Sequence, residues 1–300
     1  MTVSTTVLVT GATGRQGGAV ARRLLADGRP VRVLVREKAT ASAAALAAAG
    51  AELALGDFDD PASLPPALED VAAVFAMPPT AISASGPDTE LEVTRGRALI
   101  DAAAAAGVQQ VVFSTVASGS AAKERIERHL FDTIALPTVL RPVRFMTNYI
   151  GPGFLGVDGI SGGVHRHLFP PHEPMQVVAL EDIADLTALA LAAPERFAGR
   201  ILELAGDQPT PVEAAAAISA ATGLPVRYEQ ITDDEAEALG PVIARARKRW
   251  QAGHRWHADI EALRVIHPGL RTLTTWLNDS GAAAIRGFGR TSSTGRRGRR

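Results

Sequence analysis

The sequence predicts an α/β protein: a doubly wound parallel sheet followed by a smaller α/β lobe. Three observations carry that prediction. A short aliphatic strand, Val7-Leu8-Val9-Thr10, runs into the Gly-rich turn Gly11-Ala12-Thr13-Gly14-Arg15-Gln16-Gly17-Gly18, and a helical pattern follows from Ala19. Short apolar runs then alternate with helical stretches through the first half of the chain, as successive βαβ units require. The runs that are continuously apolar are expected to be strands covered on both faces, as in a parallel sheet.

Taken in order, Val31–Val35 reads as strand two. Ala51 to Leu55 reads as strand three, after an Ala-rich helix from about Ala41. Val71 to Ala76 is strand four. A long helix spans Asp88 to Ala106 and stops at Gly107. Val111–Ser114 is strand five and Thr138–Leu140 strand six. After Asn148 the character changes: Gly151-Pro152-Gly153 and Gly159 to Gly163 are loop-like. His165, Arg166, His167 and His172, with Pro170-Pro171, also read as loop. A helix starts at Glu181-Asp182, with acids in its first turn where the helix dipole favours them. Another has Thr210 as N-cap, Pro211 at its first position and Glu213 three residues after the cap, and Gly223 stops it. Val226-Arg227-Tyr228 is a short strand, and Asp233–Leu239 and Pro241–Ala252 are helical. Arg286 to Arg300 is rich in Gly, Ser, Thr and Arg and has no acid, which reads as a disordered solvated tail. The expected organisation is a dinucleotide-binding domain over 1–150, a smaller lobe over 151–285 and a basic tail over 286–300.

Composition excludes several classes. The net charge is −1 over 300 residues, so no global field draws the chain to nucleic acid or an anionic membrane. Cysteine is absent, which removes disulfides, thiol nucleophiles and Cys-based metal sites. No His/Asp/Glu spacing suggests a metal. No apolar run is long enough to span a bilayer, and nothing resembling a secretion signal precedes the first strand. A cytoplasmic location is expected.

Strand, Gly-rich turn and helix form a Rossmann-type dinucleotide fingerprint. Gly11 permits the tight turn, Gly14 lets backbone approach a pyrophosphate, and Gly17 lets the helix lie close on the strand. The helix N-terminus offers N–H groups and partial positive charge to phosphates. Gly11, Thr13, Gly14, Arg15, Gln16 and Gly17 are thus the candidate phosphate cradle. Arg36 ends strand two, where NAD-preferring sites place an acid for the ribose hydroxyls. A guanidinium there, with Lys38 close by, matches a 2′-phosphate, so the expected cofactor is NADP(H). Glu37 is the competing group, able to reach a ribose diol instead. Met77 and Pro78 follow strand four, in a loop that lines the ligand crevice of such sheets. Ser114 ends strand five, where its hydroxyl can donate a hydrogen bond, and is a candidate cofactor contact.

With these segments in hand, the chain resembles the NmrA-like branch of the atypical short-chain dehydrogenases/reductases. The residues that carry the resemblance are Gly11 to Gly18, Leu34-Val35-Arg36, Gly56-Asp57-Phe58-Asp59-Asp60, Leu140-Arg141-Pro142-Val143-Arg144-Phe145-Met146-Thr147-Asn148 and Asp182-Ile183-Ala184. It runs from about Val7 to Trp276. The resemblance implies that Asp57 and Phe58 flank the adenine, although Gly-Asp and Asp-Asp-Pro also form turns. Typical members of the wider family protonate the substrate oxygen with a tyrosine four residues before a lysine. Lys123 stands where that lysine would be, and Gly119 stands in place of the tyrosine. The only tyrosines, Tyr149 and Tyr228, lack the motif. Lys123 therefore has three readings: a catalytic charge near a developing oxyanion, a ligand of the nicotinamide ribose, or a surface partner of Glu127 one helical turn on. Phe145, Met146 and Asn148 are the candidate substrate pocket, or else core packing. The family includes quinone and enone reductases and also cofactor-sensing regulators. The reading adopted is an NADPH-dependent reductase of a quinone or activated enone, which needs no strong protein acid. The alternative is a non-catalytic NADP(H) sensor that binds a regulatory partner protein. An ether reductase with a lysine base fits less well. Expected partners are the small-molecule substrate or that protein, with a homodimer as a further candidate.

Overall fold

Seven parallel strands form the central sheet: β1 (Val7–Val9), β2 (Val31–Val35), β3 (Glu52–Leu55), β4 (Ala73–Ala76), β5 (Gln110–Ser114), β6 (Leu136–Pro142) and β7 (Arg200–Leu204). Their order in this computed structural model, which describes residues 5–79, 81–83, 86–117 and 119–294, is β7-β6-β5-β4-β1-β2-β3. Val7 lies opposite Val31 on one side and Ala73 on the other. The strand order reverses beside β1, so a crevice opens at the carboxyl ends of β1 and β4. This is the doubly wound Rossmann-like sheet that the alternating pattern predicts.

The central strands β1 and β4 are apolar and buried along their whole length because both of their faces are covered. The first helices in chain order are α1 (Arg15–Ala26), α2 (Ala41–Ala48), α3 (Leu64–Leu68), α4 (Thr89–Ala105) and α5 (Ala121–Thr133). Leu8, Val74, Val111 and Phe113 point into one core with Leu99 and Ile100 of α4 and Ile126 and Leu130 of α5. Their neighbours Val7, Val9, Phe75 and Val112 are equally buried and, by the period-two alternation of a strand, face the opposite side. Two more helices, Arg15–Ala26 and Leu180–Ala192, pack on one another, and Arg23 pairs with Asp185 between them.

The chain divides into two units. One is Met1–Pro142 with Leu180–Leu204, and the other is Val143–Ala179 with Ala205–Arg300. This differs from the expected break at residue 150, because β7 returns to the sheet. Arg200 to Leu204 pair with Thr138 to Pro142, and Gly199 N–H donates to the Pro137 carbonyl at 2.7 Å. Arg200-Ile201-Leu202-Glu203-Leu204 is a half-exposed edge strand, which a search for continuous apolar runs passes over.

The second unit has its own core, with Met146, Tyr149, Phe169, Ile218 and Trp276 among its members. The helix Pro211–Thr222 begins as its capping box predicts: Glu213 N–H donates to Thr210 Oγ1 at 3.3 Å, and Thr210 N–H to Glu213 Oε2 at 2.8 Å. Gly223 ends it in the left-handed conformation, with φ 69°. Two expectations are corrected here. His165 to His167 belong to a strand, Val164–His167, which pairs with Ile160–Ser161 and Arg227–Gln230. Its side chains alternate, so His165 and His167 are buried while Arg166 is not. The segment from Arg286 to Thr294 is helical rather than a tail, part of Ala282–Thr294. Ile285 is buried, Arg286 Nη1 donates to the Ala221 carbonyl at 3.0 Å, and the Phe288 ring lies against Gly151. The rest of that expected tail, 295–300, lies outside the described residues. Among the described residues no helix is long and apolar enough to cross a membrane.

Candidate functional site

The first unit places the fingerprint at the carboxyl edge of its sheet. Thr10, fully buried, accepts from Met77 N–H at 2.7 Å and donates to the Met77 carbonyl at 3.2 Å. That pair of bonds fastens the end of β1 to the end of β4. Gly11 has φ +63°, and a Cβ there would overlap the Met77 side chain. A Cβ on Gly17 would overlap the Gly11 carbonyl and come within 2.6 Å of the Thr10 carbonyl. The first helix, α1 (Arg15–Ala26), thus sits on the turn with no space for any side chain between them. Gly14 is extended and caps α1 without a side-chain bond, and the first turn carries no acid. The long helices α4 and α5 are instead capped by the side chains of Asp88 and Ser120. Thr13, Gly14 and Arg15 are exposed at this end. An N-terminus without an internal cap keeps its N–H groups and its dipole for an outside anion. The donor set fits a dinucleotide phosphate.

Not every predicted contact faces outward. Gln16 is buried, and its Nε2 donates to the buried Ser114 Oγ. These two side chains, both expected among the cofactor contacts, bind one another. Arg36, Glu37 and Lys38 are exposed after β2. Nearby Asp59 is gripped by Arg95 through two bonds of 2.7 and 2.6 Å. That bond holds its carboxyl below the usual carboxylate range, with Arg36 adding a weaker pull. Asp57 forms the turn that its sequence suggests: its Oδ1 accepts from Asp59 N–H at 3.0 Å, and its own N–H donates to Ser63 Oγ at 2.8 Å. Phe58 packs half-buried on the core, Met77 is half-buried and Pro78 is buried.

Lys123 does not pair with Glu127, which removes one of its three readings. Its Nζ lies 2.7 Å from Glu92 Oε1, with side-chain exposures of 13% and 4%. Glu127 is turned inward instead. It accepts from Thr115 Oγ1 at 2.8 Å and from Arg141 through Nε at 3.1 Å and through Nη2. Two buried carboxylates, Glu92 and Glu127, thus stand in the helices next to β5, and the sequence reading named neither as a site. The available signal was an acid beside the buried stripe Ala122, Ile126 and Leu130 of α5. Gly119 has φ +66°, a conformation that disfavours a tyrosine.

In the second unit Met146 has no exposed surface and packs in the core, the second of the two readings given for it above. Asn148 is also committed: its Nδ2 donates to Asp158 Oδ2 at 2.6 Å. Phe145 is half-buried. Asp158 further pairs with Arg144 and with His167 Nε2 at 2.9 Å. Burial opposes its charge, but Arg144 and His167 outweigh burial and hold its carboxyl well below the usual range. Burial, with Arg144 alongside, pushes His165 well below the usual imidazole range.

The model of the NmrA-like family matches residues 3–245. The chain belongs to that family. Among curated proteins, this NmrA-like chain is 32% identical over 240 residues to an NAD(P)H azoreductase of Xenophilus azovorans, covering 77% of this chain and 79% of that protein. Among solved structures it matches the NADPH-dependent quinone oxidoreductase QOR2 of Escherichia coli, at 25% identity and TM-score 0.66, over 90% of this chain and 98% of that one. It shares its fold with the negative transcriptional regulator NmrA, solved with NADP, at 19% identity and TM-score 0.75, over 96% of this chain and 98% of that one.

Proposed function

We propose that this chain is an NADPH-dependent reductase that passes hydride to a quinone or an activated enone. The observation that carries the reading is the acid-free N-terminus of α1, which has no side-chain cap and sits over a turn that excludes every side chain at Gly17. The kinship to an azoreductase and a quinone oxidoreductase supports the choice of chemistry. The α1 N–H groups and the Gly11 to Gly17 turn would hold the pyrophosphate, with Thr13 and Arg15 at its edge. Arg36 would take the 2′-phosphate, Asp57 and Phe58 would flank the adenine, and Met77 and Pro78 would line the crevice. NADPH supplies the hydride when bound.

The chain's own groups explain why the acceptor should be a quinone or enone. Carbonyl reduction needs a proton donor beside the substrate oxygen. Gly119 provides none, and the Lys123 ammonium is already balanced by Glu92. A delocalised product anion needs no such donor, because it takes its proton from water. Lys123 then acts chiefly by holding α4 and α5 together at this edge.

Purified protein should oxidise NADPH with members of a quinone panel. Arg36→Ala should weaken NADPH binding by about 1.5–3 kcal/mol, as for a lost hydrogen bond to a charged group, and leave NADH binding unchanged. Equal affinity for NADH and NADPH in the wild type would overturn the 2′-phosphate assignment. Tight NADPH binding without turnover on any quinone or enone would overturn the reductase and favour the sensor.

A further inference from the structure

The second unit contains an open cavity of about 570 Å³ whose wall includes Glu173, Gln176, Gln208, Trp250, Arg255 and Trp256. That volume lies in the usual range for small-molecule sites, about 300–1,000 Å³. None of these residues belongs to the unit that carries the Gly-rich turn. We propose that this cavity is a second ligand site, and that it takes an uncharged planar aromatic molecule.

The wall is aromatic and held in place. Trp250 and Trp256 meet edge to face, with centroids 5.8 Å apart, and Phe169 contacts both, at 4.2 and 5.7 Å. Trp250 is buried, but Trp256 is only half-buried and keeps indole surface for a partner. Flat rings gain from offset or edge contact with such a side chain beyond the area they bury. The polar part of the wall is equally fixed. The Gln176 amide donates to the Ala258 carbonyl at 2.8 Å and to Gln208 Oε1 at 3.1 Å, and it accepts from Ala258 N–H at 2.9 Å. Rigid walls reduce the ordering cost of binding.

Charge decides the ligand class. Arg255 lies 4.0 Å over the Trp250 ring and donates to Glu173 Oε2 at 2.7 Å. The same oxygen accepts from Trp250 Nε1 at 3.0 Å. Arg255 Nη1 donates to the carbonyls of Trp250 and His254 at 2.6 and 2.9 Å. The two ions neutralise one another. A cation would find Arg255 already on the Trp250 face, and an anion would meet Glu173 with Arg255 already engaged. A neutral ring meets neither penalty.

Calorimetric titration of the full chain with 2-naphthol, uncharged at neutral pH, tests the site. Saturable one-site binding is expected, with 2-naphthalenesulfonate at least about tenfold weaker. Trp256→Ala should weaken 2-naphthol by about tenfold or more, the loss of one aromatic face. Gln208→Trp, at an exposed position, should crowd the cavity and do the same while keeping every aromatic wall. If Trp256→Ala fails to fold, Gln208→Trp decides alone. Absence of saturable binding, equal binding of the sulfonate, or undiminished binding in the folded variants would overturn the proposal. So would displacement of 2-naphthol by NADPH, which would place it in the cofactor cradle. None of these outcomes depends on turnover, so the site and the reductase reading can fail separately.

Discussion

Replacing Lys123 by Met removes one ammonium and keeps most of the side-chain volume. It leaves the Glu92 carboxylate, 4% exposed, without its partner at 2.7 Å. Removing one member of a buried ion pair costs about 3–5 kcal/mol. Lys123 is itself 13% exposed, so some water reaches the site and the lower end, about 3 kcal/mol, is expected. At about 2 °C per kcal/mol for a chain of this size, the melting temperature should fall by about 6 °C. Glu92→Leu strands an ammonium on a flexible stem that can turn toward water, so it should cost less, about 1–2 kcal/mol. The double variant buries no unpaired charge and should return to within about 1 kcal/mol of the wild type. Urea unfolding of all four proteins then gives a coupling of at least about 2 kcal/mol. Additivity within about 0.5 kcal/mol would refute the pairing. The same proteins answer the catalytic question. If Lys123 works through the fold, the double variant keeps its NADPH-dependent turnover. A double variant as stable as the wild type but about tenfold slower, equivalent to about 1.4 kcal/mol in the barrier, would return Lys123 to the chemistry.

Gly17→Ala places a methyl group in the Gly11 carbonyl. Overpacking of this kind costs about 1–3 kcal/mol, and shifting α1 off the turn should lower NADPH affinity more than tenfold; an unchanged affinity would refute the close packing as the basis of the site. His165 makes stability fall on the acid side. Its folded imidazole titrates well below the usual value, whereas the unfolded one titrates near 6.5, so the unfolded state gains the proton as pH drops and stability is lost below about 6.5. Between pH 7.5 and 5.5 the loss from this residue is about 1.4 kcal/mol, and buried His167, shifted the same way, adds to it. His165→Phe should remove at least half of that slope in urea unfolding; an unaltered slope would refute the assignment.

The sequence alone determined what depends on neighbours in the chain. Short, mostly apolar runs named six of the seven strands, most clearly β1 and β4, because a strand covered on both faces has no polar side to show. Gly11 and Gly17 announced the turn, since backbone handedness and the absence of a Cβ are properties of single residues. Thr210, Pro211, Glu213 and Gly223 marked both ends of one helix through bonds that close within a few residues. Tertiary structure decided the rest. The half-exposed β7 gains its place only from β6, some sixty positions earlier in the chain. Lys123 had Glu127 within reach on its own helix, yet Glu92 on another helix holds it, and Arg141 on a strand holds Glu127. Gln16 found Ser114, and His167 and Asn148 found Asp158. A charge or amide that is withdrawn from water must find a partner, and packing, not sequence spacing, determines which partners come within reach.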